Sequence, residues 1–488
     1  MVTATEHPLL SCCEPSVTAA FVIYLVAMLA IGVVAWAQTR DLEDYILGGR
    51  RLGSWVAALS AGASDMSGWL LLGLPGFAYV SGSESLLLAG GLLLGTYLNW
   101  CIVAPRLREA TIRSASLTLP EFFARRFPEV STLLRMVSAI FIVIFFTIYT
   151  CSGMVAGGKL FNAVFGIPYH LAVGAGAAAV IAYTFLGGFL AVSWTDAVQA
   201  TLMFLALILV PVAVFSGYGT NGAQEVASFP SHFLDPFVTA DGTSLSMVTV
   251  FSLVAWGAGY FGQPHILARF MAVDSVDSVS HARRIATFWA AVTLSGAVAA
   301  GVAGHMYLGP GLADSEKVFI ILVHRLLPPV LAGICLSAVL AAIMSTADSQ
   351  LLVSASVFTE DFYRVFLRKK AGQTELVTAG RIAVMVIACV ACLLALDPGN
   401  MVLDIVSYAW AGFGAAFGPV VVLSLYWRAM SGWGAVAGII SGGLTVLIWK
   451  NLHGGIFELY EIVPGILFAT AAIFVASLVQ SIHKELAV

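Results

Sequence analysis

An aspartate, Asp65, lies within a stretch whose apolar flanks predict a membrane helix. Residues 61–69 read AGASDMSGW, and apolar sequence flanks this polar stretch on both sides. A carboxylate at bilayer depth costs about 2.5–3.5 kcal/mol on insertion scales, so Asp65 requires a compensating interaction. One interpretation is that Asp65 binds a cation or balances its charge. The other is that backbone N–H groups, freed by a break in the helix, hold the carboxylate.

A second polar cluster lies far along the chain, where residues 341–349 read AAIMSTADS. Na⁺ is a hard cation that prefers oxygen ligands, and Ser345 and Thr346 offer two hydroxyls. The Ala342 carbonyl falls on the same helical face. The alternative is that both hydroxyls bond back to the preceding turn of their own helix. Asp348 points to another face and is predicted to be a lesser participant or a packing carboxylate.

Three aromatic residues are candidates for the wall of a small-solute cavity. Tyr149, Trp256 and Tyr260 each combine an apolar ring with a polar tip. Trp256 and Tyr260 are four residues apart, so a regular helix would place them on one face. The alternative for each of them is ordinary packing or contact with lipid.

The composition indicates which elements position these residues. Hydrophobic residues make up 60% of the 488 positions and charged residues only 10%, against roughly 25% charged in soluble domains. Apolar runs long enough to cross a bilayer recur along the whole chain. We therefore predict an all-α polytopic membrane protein with about thirteen transmembrane helices. The predicted spans are 17–37, 53–80, 84–105, 132–158, 168–187, 189–216, 244–263, 284–308, 328–358, 377–396, 400–426, 433–450 and 459–482.

The basic residues predict the orientation of these spans. All but four of the 23 Lys and Arg residues fall in alternate loops, the exceptions being Lys159, Lys317, Arg325 and Lys450. Cytoplasmic loops carry the excess of Lys and Arg, so the richer side is predicted to be cytoplasmic. With an odd number of spans, the N-terminus is then periplasmic and the C-terminus cytoplasmic.

This orientation predicts the location of Asp196 and of a group of five basic residues. Asp196 falls near the cytoplasmic start of the sixth span, where it either caps the helix start or lines an exit path to the cytoplasm. The second group is predicted to lie in a cytoplasmic loop and to serve orientation. It comprises His265, Arg269, His281, Arg283 and Arg284.

Two of the predicted spans are interrupted by helix-breaking residues. The second is broken around Asp65, and the seventh carries WGAGYFGQP at residues 256–264. Irregular backbone at membrane depth is tolerated only where it lines a cavity or is buried in protein. A pair of such segments in matching positions of two halves indicates the binding site of a secondary transporter. The alternative is that these glycines serve packing alone.

The spacing of the two interruptions predicts the domain organisation. They are five spans apart, an odd number, so the two halves would have opposite orientation in the membrane. We expect one transporter domain over residues 1–488 with an inverted five-plus-five core. Its parts are an extra helix at 17–37, a first repeat at 53–216, a second repeat at 244–426 and two C-terminal helices at 433–482.

Other function classes lack their signatures. There is no Gly-x-x-x-x-Gly-Lys-[ST] motif for an ATP-driven pump, and no filter loop or charged ring for a channel. A nucleophile–base pair and a metal-ligand set are also missing, so an enzyme is not predicted. We expect no cofactor and no nucleic-acid partner.

Several motifs together resemble the sodium/solute symporter family, and most closely its proline-transporting branch. The similarity runs from about residue 17 to residue 482. The motifs are DYILGGR at 44–50, SAGASDMSGW at 60–69, GGF at 187–189, WGAGYFGQPHILARF at 256–270 and SYAWAGF at 407–413.

The resemblance implies a LeuT-type fold and Na⁺-coupled uptake of L-proline across the bacterial inner membrane, with Na⁺ as coupling ion. At residues 347–349 the chain reads Ala-Asp-Ser where the proline branch carries Leu-Ser-Cys, which loosens the solute assignment. The alternatives are symport of another small carboxylate, such as pantothenate, acetate or another amino acid, and a solute sensor that does not transport.

The resemblance also implies roles for individual residues. The sodium site would be formed by Ala63, Met66, Ala342, Ser345 and Thr346. Sodium-dependent transport would also need Asp65, Ser67 and Gly68, with Arg50 and Ser60 in support and Asp196 linked to ion release. The proline site would involve Tyr149, Trp256, Tyr260 and Pro264.

Overall fold

The computed structural model describes residues 14–38, 42–184, 188–217 and 231–486. Gly187, part of the GGF motif, lies outside the described residues. The described chain is almost entirely helical. Its helices are α1 (Pro15–Trp36), α2 (Leu42–Leu47), α3 (Ser54–Asp65), α4 (Leu74–Ser81), α5 (Ser85–Ile102), α6 (Ala104–Ser114), α7 (Leu119–Arg126), α8 (Ser131–Phe165), α9 (Tyr169–Thr184), α10 (Phe189–Phe215), α11 (Met247–Ala255), α12 (Pro264–Ala272), α13 (Val276–Leu308), α14 (Val318–Leu326), α15 (Pro329–Val357), α16 (Gln373–Leu394), α17 (Val402–Tyr426), α18 (Gly432–Trp449) and α19 (Ile462–Leu486).

Each predicted span overlaps one or two of these helices. Ten helical segments of the described chain are long and apolar enough to cross a membrane. Two shorter apolar helices, Tyr169–Ile181 and Met247–Gly262, fall on the predicted fifth and seventh spans. The chain is therefore a multi-pass membrane protein, and the number thirteen stays a prediction.

Local sequence explains where several helices begin. Pro15 and Pro329 stand at the first residues of α1 and α15, where a missing N–H costs nothing. Ser275 accepts a hydrogen bond from the Ser278 amide and so caps α13. This cap places the start of α13 eight residues before the predicted start of the eighth span.

α15 is the central element of the bundle. It packs against α1, α3, α8, α10 and α16. In its most apolar stretch 83% of the residues are buried inside the protein, against 28% for α1. α1 instead carries a row of exposed apolar side chains that includes Ile23 and Val26, the pattern of a helix facing lipid. Polar residues on α15 consequently meet protein on every side.

Candidate functional site

The chain is interrupted at Asp65, as predicted. α3 ends there, the backbone turns at Met66 (φ −83°, ψ 79°), and the helix resumes in a π-helical turn at Trp69–Gly73. The freed Asp65 carbonyl accepts hydrogen bonds from the Trp69 indole N–H and the Tyr149 hydroxyl, both at 3.1 Å. Side-chain donors thus replace the helical hydrogen bonds that the break removes.

The Asp65 carboxylate faces the second interrupted segment. Its side chain is buried, and Oδ2 accepts a hydrogen bond of 2.5 Å from the Tyr260 hydroxyl. Oδ1 has no hydrogen-bond partner among the described residues. The bonded oxygen is therefore held by a side chain and not by the freed backbone N–H groups that one interpretation expected.

Ser67 and Gly68 shape the break itself. The Ser67 hydroxyl accepts a hydrogen bond from the Trp69 amide at 3.4 Å. A side chain at Gly68 would place its Cβ 2.7 Å from the Cβ of Ala156 and 3.2 Å from Ile343. Glycine at position 68 therefore lets the break approach α8 and α15 closely.

Four of the five predicted sodium ligands form one buried cluster between α3 and α15. The Ser345 and Thr346 hydroxyls lie 2.8 and 3.1 Å from the Ala63 carbonyl oxygen. Ser345 also bonds back to the Ala342 carbonyl at 3.1 Å, so both interpretations of this hydroxyl hold at once. A set of carbonyl and hydroxyl oxygens suits a hard cation.

Met66, the fifth predicted ligand, lies at the turn that follows α3. Its sulfur accepts a weak hydrogen bond of 3.7 Å from the Thr293 hydroxyl of α13. Its side chain thus points toward α13, and only its backbone carbonyl is a candidate oxygen for an ion at the α3–α15 cluster.

The predicted interruption in the seventh span is also present. α11 gives way to a 3₁₀ turn at Trp256–Gly262, and α12 follows. Side chains from two other helices hold this turn. The Trp410 indole N–H donates to the Trp256 carbonyl at 2.7 Å, and the Asn99 amide donates to the Tyr260 carbonyl at 3.0 Å.

The two aromatic residues of this turn point in different directions. Tyr260 packs edge-on against Trp410 with ring centroids 4.9 Å apart, whereas Trp256 stacks on Tyr460. The expectation of a shared face assumed 3.6 residues per turn. At three residues per turn, residues four apart diverge by about 120°. Tyr260 therefore reaches Asp65, and Trp256 lines another surface.

Two other predicted site residues lie elsewhere in the described chain. Pro264 opens α12 and lines a cavity with Thr118 and Met271, not the cavity beside Asp65 and Tyr260. Arg50 donates to Glu43 at 2.9 Å and to the Ser116 carbonyl at 2.7 Å. Arg50 thus ties connecting segments together.

A buried ion pair lies next to the α3–α15 cluster. Arg269 and Asp196 are fully buried, with Nη2 of the guanidinium 3.1 Å from Oδ2 of the carboxylate. Arg269 also donates to the hydroxyls of Ser60 (3.1 Å) and Ser349 (2.5 Å), and Ser60 donates to Asp196 (2.7 Å). These four residues join α3, α10, α12 and α15 through one polar network.

The structure corrects the predicted placement of two residues. Arg269 and His265 were expected in a cytoplasmic loop, but both are buried in α12, which packs against α3 and α6. Of the two interpretations of Asp196, the helix cap is excluded, because α10 begins at Phe189, seven residues earlier. Asp196 is the partner of a buried arginine.

The predicted loop placement is also wrong for three further residues, because α13 already begins at Val276. These residues are His281, Arg283 and Arg284.

Sequence reasoning missed four residues of the site: Asn99, Arg269, Ser349 and Trp410. Arg269 follows the WGAGYFGQP break within an apolar run, and a charge in such a place signals a buried partner. Asn99 had a similar signal. Thr96 and Asn99 are three residues apart in an apolar helix, so both polar side chains lie on one face and indicate partners inside the protein. Trp410 lies within the SYAWAGF motif at 407–413, but nothing in that motif indicates its contact with the Trp256–Gly262 turn.

Comparison with known proteins shows the family to which this chain is similar. A profile of the sodium:solute symporter family matches residues 45–442. The chain is 52% identical over 466 residues to the sodium/proline symporter of Salmonella typhimurium, covering 94% of this chain and 92% of that protein. It is 48% identical over 466 residues to the osmoregulated proline transporter OpuE of Bacillus subtilis, covering 94% and 93%.

Two solved structures share the architecture. A Na⁺-coupled sialic acid symporter in a substrate-bound outward-open state matches with a TM-score of 0.77 at 19% identity, covering 95% of this chain and 98% of that chain. MhsT in complex with L-phenylalanine matches with a TM-score of 0.52 at 16% identity, covering 88% and 98%. These similarities concern the fold alone and confirm the LeuT-type architecture.

Proposed function

Since this chain belongs to the sodium:solute symporter family, we propose that it is a secondary active transporter that couples the uptake of L-proline to the entry of Na⁺. Relatives about half identical over nearly the whole chain are named as proline transporters. The observation that carries the proposal is the α3–α15 cluster, where two hydroxyls converge on the Ala63 carbonyl at membrane depth.

The ion is proposed to bind at this cluster. Its oxygens would come from Ala63, Met66, Ala342, Ser345 and Thr346. The Asp65 carboxylate supplies negative charge nearby, which makes entry of a cation favourable. The Asp196–Arg269 network is proposed to line the path by which the ion leaves toward the cytoplasm.

The proposed mechanism is alternating access between two inverted halves, residues 53–216 and 244–426. Na⁺ bridges α3 and α15 from the outer side and holds the interrupted helices in the geometry that binds proline. Backbone N–H groups at the start of a half-helix, where the dipole favours an anion, receive the solute's carboxylate. Trp256 and Tyr260 close over the ring. Because binding is reciprocal, proline must raise the affinity for Na⁺ as much as Na⁺ raises that for proline.

The proposed location is the bacterial inner membrane, with the chain in direct contact with lipid. The N-terminus is placed in the periplasm and the C-terminus in the cytoplasm, following the distribution of basic residues. The proposal assigns transport to the chain, with no chemical step, no cofactor and no nucleic-acid partner.

The test is uptake of labelled L-proline by proteoliposomes that contain the purified protein. An inward Na⁺ gradient should drive accumulation, and replacement of Na⁺ by choline should abolish it. The Asp65→Asn variant should lose most of the Na⁺-driven rate. Uptake at full rate in choline would refute the sodium assignment. Na⁺-driven uptake of labelled pantothenate or acetate, with no uptake of labelled proline, would refute the solute assignment.

A further inference from the structure

A small cavity lies between α3, α5, α13 and the Trp256–Gly262 turn. Its lining includes Asp65, Thr96, Asn99 and Tyr260. The cavity has room for about one water molecule. It lies beside the carboxylate of Asp65 and includes none of the four residues of the α3–α15 cluster, but it shares Met66 with the proposed ion site.

Three oxygen atoms of these cavity-lining residues have no hydrogen-bond partner within the described part of the chain. They are Oδ1 of Asp65, Oγ1 of Thr96 and Oδ1 of Asn99. Their residues are 2%, 7% and 1% exposed, so water outside the protein does not satisfy them. Three buried acceptors around one cavity are costly unless a group with hydrogen-bond donors or positive charge enters it.

The contacts of Asn99 and Thr96 show that the side-chain oxygens of these two residues can accept hydrogen bonds from a ligand. The Asn99 amide N–H₂ donates to the Tyr260 carbonyl, which leaves its oxygen as the remaining polar end. A threonine in a membrane helix commonly donates to the carbonyl four residues earlier, as Thr147 and Thr293 do here. The Thr96 hydroxyl makes no such bond. It lies beside the Tyr260 hydroxyl, and its oxygen can still accept a hydrogen bond from a donor in the cavity.

We propose that these three oxygens form a subsite for the ammonium group of the transported solute. The inference rests on the proposed function and deepens it, since it names the residues that receive the positive end of an amino acid. An ammonium group with two N–H donors matches a carboxylate oxygen and a neutral acceptor. The remaining lining is largely apolar and aromatic, including Trp100 and Trp289. The cavity has room for the N–H₂ group alone, so the ring carbons would lie outside it.

The shape of the subsite separates an ammonium group from Na⁺. A hard metal ion seeks oxygen on most sides, as at the α3–α15 cluster, whereas this cavity offers three unpaired oxygens within a largely apolar and aromatic lining. Oδ2 of Asp65 is already bonded to Tyr260. Binding at Oδ1 therefore links the solute's charge to the aromatic residue proposed to close over its ring.

The experiment compares solutes that differ at the nitrogen. Uptake of labelled L-proline is competed by unlabelled L-proline and by tetrahydrofuran-2-carboxylate, which has a ring oxygen in place of the ammonium. The variant is Thr96→Val, which keeps the shape and removes the oxygen. Thr445→Val is the matched control, because the Thr445 hydroxyl donates to the Ser441 carbonyl of its own helix, α18.

In the Thr96→Val variant the inhibition constant of proline should rise about tenfold, the loss expected for one hydrogen bond to a charged group. The constant for the oxygen analogue should stay within about twofold, so that discrimination between the two solutes falls. Thr96→Ser should restore the discrimination between the two solutes, and Thr445→Val should leave this discrimination unchanged. A packing defect would weaken both solutes alike.

Unchanged discrimination in Thr96→Val overturns the inference and leaves the proposed function intact. If the Na⁺ concentration for half-maximal uptake also rises in that variant, the cavity is assigned to Na⁺. Wild-type protein that takes up no proline under an inward Na⁺ gradient would instead refute the proposed function, and the subsite with it.

Discussion

Removing one member of the buried Asp196–Arg269 pair is predicted to destabilise the protein more than removing both. Both side chains are fully buried. Arg269→Gln leaves the carboxylate with Ser60 as its bonded partner, and Asp196→Asn leaves a buried guanidinium facing neutral oxygens. Breaking a buried pair costs about 3–5 kcal/mol, whereas replacing both charges by neutral groups is often close to neutral.

Each single variant should therefore lower the free energy of unfolding by about 3–5 kcal/mol, and the double variant by no more than about 1–2 kcal/mol. The assay is equilibrium unfolding in mixed micelles with increasing dodecyl sulfate, followed by tryptophan fluorescence. Arg113→Gln is the control, because the Arg113–Glu109 pair is exposed and should contribute less than about 1 kcal/mol. A double variant that loses the sum of the two single losses would refute the reasoning.

Two further predictions concern the Trp256–Gly262 turn. Gly259→Ala should abolish proline uptake, because its Cβ would clash with the indole nitrogen of Trp410; Gly90→Ala, whose Cβ meets nothing within 4 Å, should transport like wild type. Equal uptake by the two variants would contradict this packing. Tyr260→Phe removes the donor to Asp65 and should raise the KM for proline about tenfold, measured in the same uptake assay; an unchanged KM would show that this bond does not position the site.

The interruptions and the α3–α15 contact were predictable from the sequence because the membrane leaves polar groups few choices. An aspartate and two hydroxyls within apolar runs must find partners inside the protein. The residue types therefore indicated that the two segments are buried, and the resemblance to a family indicated which carbonyl faces which hydroxyl. The Ser345–Ala63 contact agrees with that expectation.

The Asp196–Arg269 pair was not predictable by the same reasoning. Basic residues near the ends of spans usually mark loops, and this rule assigned Arg269 to a loop. Its partner lies 73 residues earlier in the chain, and nothing in the local pattern joins the two. The relative directions of Trp256 and Tyr260 could not be predicted from the sequence pattern either, since they depend on a 3₁₀ turn that glycine content alone does not specify.

The central claim is that the ion binds where Ser345 and Thr346 meet the Ala63 carbonyl. Equilibrium binding of radioactive Na⁺ to the purified protein tests it most directly, with Ser345→Ala and Thr346→Val as variants. Ser337→Ala is the control, because that buried hydroxyl donates to the Gly333 carbonyl of the same helix, α15. The account predicts at least about tenfold weaker Na⁺ binding in both variants and wild-type binding in the control. Wild-type affinity in all three would contradict it.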